Sequence, residues 1–106
     1  MQYITNDNYE QITSENKFVV IDFYADWCGP CKIYGPIFEN TVSKYKDAAL
    51  VKCDVEQSKR VAARFGIRSI PTTLIVKDKE LIAMQPGIMM EDQLIQFIND
   101  AVKKSE

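Results

Sequence analysis

Histidine is absent from this 106-residue chain, and cysteine, glycine and proline are scarce, at three, four and four residues. Without histidine, both the commonest metal ligand and the commonest general base are missing. A structural zinc site wants four ligands, and three cysteines with no histidine cannot supply them within one chain. No charge of one sign dominates either: 13 basic residues face 15 acidic ones. That balance leaves no basic stripe or acidic tail to suggest nucleic acid, a membrane surface or a polyanion as partner. No apolar run approaches the roughly 20 residues of a membrane span, and the opening MQYITNDNYEQ lacks the basic and apolar regions of a signal peptide. The expectation is a soluble, cytoplasmic protein folded as one domain over residues 1–106, large enough to bury a core without disulfides or metal.

What is present is an α/β pattern. Residues 17–25, KFVVIDFYA, form a nearly continuous β-branched and aromatic run, as a central strand buried on both faces requires. Helical spacing follows in Ile33, Tyr34, Ile37, Phe38, Val42 and Tyr45, with Pro30 acceptable in the first turn and Pro36 expected to kink the helix. A second strand, ALVKCDV (49–55), precedes a helix in which Val61, Ala62 and Phe65 share a face and Gly66 is a terminator. TTLIVK and ELIAMQ, close together around Asp78 and Lys79, predict an antiparallel hairpin, so the sheet is mixed. Leu94, Ile95, Phe97, Ile98, Ala101 and Val102 predict a final amphipathic helix. Tyr3 and Ile4 suggest a short first strand, and residues 7–15 a short helix.

Cys28 and Cys31 stand three apart with Gly29 and Pro30 between them. The spacing alone is weak evidence, since three cysteines give it by chance about 5% of the time. Its position says more: the pair lies where a buried strand ends and a helix begins, so unpaired helix N–H groups and the helix dipole favour a thiolate there. Cys28 is the candidate nucleophile. Residues i and i+3 at a helix start lie on one side, within the roughly 4.4–6.8 Å Cα separation that a disulfide tolerates, so Cys31 can resolve a mixed disulfide. A structural staple fits poorly, because closing so short a loop removes little unfolded-state entropy. A metal cluster shared between two chains stays formally open.

WCGPC at 27–31, preceded by VVIDFYAD and followed by KIYGP, closely resembles the thioredoxin family, and IRSIPTTLIV at 67–76 and Gly87 fall in family order and spacing. The resemblance covers essentially the whole chain. It implies the thioredoxin fold, a central five-stranded mixed sheet flanked by four helices. It also implies protein-disulfide reduction through a reversible Cys28–Cys31 pair with no bound cofactor and no metal. An NADPH-dependent thioredoxin reductase would restore the dithiol in a monomeric protein. Clients would be disulfide-bearing proteins such as peroxiredoxins, methionine sulfoxide reductases or ribonucleotide reductase. An oxidase or isomerase on the same fold, and a docking module without redox chemistry, are the alternatives.

The same resemblance assigns supporting residues. Asp22, costly to bury as an anion, matches the carboxylate that deprotonates the resolving cysteine, and Lys52 matches the lysine that approaches it. Pro71 is expected to be cis, leaving the Ile70 backbone to pair with an extended substrate segment. Trp27, Gly29, Pro30, Ile70, Gly87 and Ile88 would form an apolar docking surface. Cys53 should share a buried face with Val51 and Val55 as an inert thiol. The chain departs from the family in having Tyr24 in place of a common tryptophan. It also has Met89 and Met90 where a polar helix cap is usual, and a KDKE hairpin without Asn-Gly.

Overall fold

Alternation in the central strand decides how the sheet is covered. In the computed structural model, which describes residues 1–106, β2 (Phe18–Tyr24) lies at the centre and is buried along nearly its full length. β3 (Ala49–Asp54) pairs with it in parallel and β4 (Thr72–Lys77) antiparallel. β1 (Gln2–Tyr3) flanks β3 in parallel, and β5 (Glu80–Pro86) flanks β4 antiparallel, giving the order β1-β3-β2-β4-β5. Four helices complete the chain: α1 (Tyr9–Glu15), α2 (Gly29–Val42), α3 (Lys59–Arg64) and α4 (Glu91–Lys104). Five mixed strands and four helices are the expected architecture. The first strand is placed one residue earlier than Tyr3 and Ile4 suggest, although the Ile4 N–H still donates to the Lys52 carbonyl at 2.9 Å.

Successive strand side chains point to opposite faces, so the sheet separates two cores. Val19, Ile21 and Phe23 of β2 join Val51 and Cys53 of β3 and Leu74 and Val76 of β4 beneath α1 and α3. Phe18 and Val20 join Leu50 and Ile75 on the other face, covered by Tyr34 and Phe38 of α2 and Leu94, Ile98 and Ala101 of α4. Each large aliphatic or aromatic side chain so enclosed contributes about 1.5–3 kcal/mol.

The departures from family pattern have local solutions. Asp78 and Lys79 both take positive φ, 49° and 71°, so the β4–β5 hairpin turns without glycine. Two positive φ values match the right-handed twist of the strands, at a steric cost to non-glycine residues. At the start of α4 the Met90 N–H donates to the Gln93 side-chain oxygen at 2.8 Å, and the Gln93 N–H, the donor that a polar cap would satisfy, donates to the Asp92 side chain at 3.0 Å. Met89 is buried core filler and Met90 is exposed. α4 also carries Glu91 and Asp92 in its first turn and Lys103 and Lys104 in its last, matching the helix dipole. No helix is long and apolar enough to cross a membrane.

Candidate active site

Parallel pairing of β2 with β3 and antiparallel pairing of β2 with β4 bring several chain ends to one edge of the sheet. Phe23 near the end of β2 faces Thr72 at the start of β4, and Thr72 faces Pro86 at the end of β5. The segments that follow β2, precede β4 and follow β5 therefore converge. They carry Trp27 to Cys31, Ile70 and Pro71, and Gly87 and Ile88.

Cys28 is the N-cap of the 14-residue helix α2, and its sulfur accepts a hydrogen bond from the Cys31 N–H at 3.2 Å. Gly29 and Pro30 fill the first helical turn, where proline's missing N–H costs nothing. The turn sets the Cα atoms of Cys28 and Cys31 5.2 Å apart, and their sulfurs are joined as a disulfide. Both cysteines are buried and pack against Ala25 and Ile70. The Ile70–Pro71 peptide is cis, and the Ile70 carbonyl oxygen lies 3.8 Å from the Cys28 sulfur. Gly87, at φ 90°, donates its N–H to the Pro71 carbonyl at 2.8 Å and ties the last loop to this corner. A β-carbon at Gly87 would meet no atom within 4 Å, so glycine serves the backbone conformation rather than space. Trp27 is 69% exposed and Ile88 40%, so both stand beside the disulfide as apolar surface. The Trp27 indole N–H is held by Glu56, a partner that no pattern in the chain singles out.

Beneath α2 a polar row crosses the sheet. Lys52, Asp22 and Thr73 occupy matched positions on β3, β2 and β4, all on the face that α2 covers. Asp22 is 1% exposed and neither carboxylate oxygen has a hydrogen-bond partner. Burial pushes its pKa up to about 7, opposed by Lys52 and assisted by Glu39. Thr73 is satisfied by the Tyr34 hydroxyl at 2.6 Å. Lys52 turns instead to Glu39 of α2, with its Nζ 2.9 Å from Oε2, and lies over the Tyr24 ring at 4.8 Å. Glu39 escaped sequence reasoning, although a signal exists: Cys31, Gly35 and Glu39 recur every four residues along one stripe of α2. No group of three or more His, Cys, Asp or Glu is arranged to hold a metal ion.

One sulfur at a helix start and a second three residues behind it, already joined as a disulfide, form an arrangement that thiol–disulfide exchange can use. The thioredoxin family model matches residues 1–100. The chain belongs to the thioredoxin family. A thioredoxin from Mycoplasmoides gallisepticum is 42% identical over 99 residues, covering 92% of this chain and 99% of that protein. Among solved structures, Plasmodium falciparum thioredoxin is similar with a TM-score of 0.87 at 30% identity, over 94% of this chain and 98% of that one. A mutant thioredoxin from Halobacterium salinarum gives 0.83 at 35% identity, over 94% and 88%. The fold is thus the thioredoxin fold. The activity is thiol–disulfide exchange through the reversible Cys28–Cys31 pair, and the chain is a disulfide oxidoreductase.

Proposed function

We propose that this thioredoxin-family protein, a single domain over residues 1–106, works as a cytoplasmic monomeric reductant of protein disulfides with the following division of labour. The Cys28 thiolate attacks one sulfur of a client disulfide, breaking the S–S bond and releasing one client thiolate. Asp22, as its carboxylate, accepts the Cys31 proton. The Cys31 thiolate then attacks the Cys28 sulfur, expels the second client thiolate and leaves the Cys28–Cys31 disulfide. Two electrons from an NADPH-dependent thioredoxin reductase restore the dithiol. Lys52 tunes the charge around Asp22, while Gly29 and Pro30 shape the turn that holds the two sulfurs together. A dithiol that must be reduced to act belongs where a reductant keeps it so, which is the reason for the cytoplasmic assignment. One cysteine pair in one chain is a complete dithiol and supports action as a monomer.

The observation that carries this reading is the Cys28 sulfur at the N-cap of α2, joined to Cys31 three residues on, with a buried carboxyl poised near neutral pH on the sheet face that α2 covers. Trp27, Ile70, Pro71, Gly87 and Ile88 form the client surface. The Ile70 N–H has no acceptor within the chain and is free to pair with an extended client segment. By family analogy the clients are peroxiredoxins, methionine sulfoxide reductases or ribonucleotide reductase.

Trp27 is the only tryptophan and adjoins Cys28, so its fluorescence during equilibration against graded dithiol or glutathione buffers reports the reduction potential. A strongly reducing value, resistant to the glutathione pool, is expected. A much more oxidising value would assign the chain to disulfide formation or isomerisation. A thiol assay that finds no Cys28–Cys31 disulfide at any poise would leave a docking module.

A further inference from the structure

A buried carboxylate without hydrogen bonds and a lysine beside it on the neighbouring strand are expected to pair. Here they do not. Asp22 and Lys52 are matched in register, yet both Asp22 oxygens are unpartnered and the ammonium is bound to Glu39.

Two features of α2 account for this. Gly35 is an interior helical residue, where glycine is unfavourable. A β-carbon there would lie 3.3 Å from Lys52 Nζ and 3.7 Å from Glu39 Oε2. The missing methyl is thus the notch in which ammonium and carboxylate meet. Glu39 lies one turn further along the same stripe. It is partly solvated, at 46% side-chain exposure, whereas the Lys52 side chain is 10% exposed. Solvent therefore stabilises the anion that holds the buried cation. The pair stands at a groove of about 260 Å³ whose lining includes Cys31, Gly35, Glu39, Lys52 and Tyr24.

The other groups around Asp22 leave Lys52 as the one cation that acts on it strongly. Tyr34 and Glu39 come from α2, Tyr24 from β2, Lys52 and Cys53 from β3, and only the uncharged Thr73 from β4. α4 adds apolar Leu94, Ile98 and Ala101 to this core. Asp26 and Lys32 also line the groove.

We propose that Glu39 is a positioning residue for thiol–disulfide exchange: with the notch left by Gly35, it holds the Lys52 ammonium at the groove mouth and off the Asp22 carboxylate, so that Asp22 remains a proton acceptor for Cys31. The functional part of this inference rests on the proposed role of Asp22 as base. The positioning part does not.

The test is a pH titration of the Asp22 carboxyl carbon by NMR in the oxidised full chain, for wild type, Glu39→Gln, Gly35→Ala, Lys52→Met and the Glu39→Gln/Lys52→Met pair. Freed from Glu39, the ammonium approaches Asp22, and the proton affinity of Asp22 falls about tenfold. Gly35→Ala, a change that favours helix, moves the midpoint the same way. In the Lys52→Met background, Glu39→Gln lowers the affinity less than about threefold, because its main effect needs the lysine. An unmoved or raised midpoint in Glu39→Gln, or a drop of threefold or more without the lysine, overturns the proposal. An unmoved midpoint in Gly35→Ala overturns the role given to the notch. Resolution of a preformed mixed disulfide, followed against pH, then separates the two readings. In Glu39→Gln the profile shifts to lower pH with the NMR midpoint. A normal resolution rate in Asp22→Asn would sink the base role while leaving the positioning result standing.

Discussion

The two faces of the same sheet were built to different rules. Beneath α1 and α3, the inward positions of β2, β3 and β4 are Val19, Ile21, Phe23, Val51, Cys53, Leu74 and Val76, with no charge among them. Beneath α2 and α4, the matched positions include Lys52, Asp22 and Thr73, a polar row through an otherwise apolar layer. Only the second face carries the helix that begins at Cys28. One face is uniformly apolar, and the other accepts a stability cost at Asp22, the residue proposed above as the proton acceptor for Cys31. Buried polar groups raise the energetic stakes of any change around them.

The largest effect that separates the faces is pH dependence. Asp22 has its pKa raised from 3.8 to about 7 by burial, so the folded state binds a proton more tightly than the unfolded chain. The associated stabilisation is fully present below the unfolded value, shrinks as pH rises, and is gone once pH passes the folded value. Wild-type stability is therefore expected to fall by about 4 kcal/mol between pH 4 and pH 9. Denaturant melts of the oxidised protein across that range should show the decline, with Asp22→Asn nearly flat. Parallel curves for the two proteins would mean that Asp22 is not the source.

The apolar face sets the contrast. Ile21, fully buried on β2 next to Asp22 in sequence but pointing the other way, should cost about 3 kcal/mol when changed to Ala, through lost transfer energy and the cavity left. That loss should be equal at pH 4 and pH 9, since nothing titratable is touched. A pH-dependent cost would show that the two cores are not energetically separate. A smaller effect is expected from Tyr34→Phe. Removing the hydroxyl that partners Thr73 leaves a buried oxygen unsatisfied, for about 1–2 kcal/mol in the same melts. No loss would mean that another group takes over the Thr73 hydroxyl.

The same division marks what could be read from sequence. Periodicity exposes apolar packing directly, so the central strand, the hairpin, the final helix and the face taken by Cys53 were all legible from residue spacing. The family motifs located the cysteines, the cis proline and the buried carboxyl. What could not be read was which partner each polar group takes. A strand lysine adjacent to Asp22 gives no hint that it turns to a helix carboxylate, because that choice depends on a gap one methyl wide at Gly35. Nor does KDKE reveal that Asp78 and Lys79 tolerate positive φ, since the usual signal for that turn is Asn-Gly.

The smallest effect concerns the two kinds of cysteine, which fall on opposite sides of this contrast. Cys53 is fully buried on the apolar face, where burial, Asp54 and Asp22 push its pKa up to about 12. At pH 8 its thiolate would then be about one part in ten thousand. Cys28 starts a helix whose N–H groups favour the anion. In the reduced native protein, iodoacetamide at pH 8 should label Cys28 and leave Cys53 untouched until denaturant is added, as peptide mass spectrometry would read. Cys53→Ala should leave exchange unchanged and cost about 1 kcal/mol for the small cavity. Native labelling of Cys53 at a rate near that of Cys28 would mean that the apolar face opens on the timescale of the chemistry. The thiol there could then no longer be treated as packing alone.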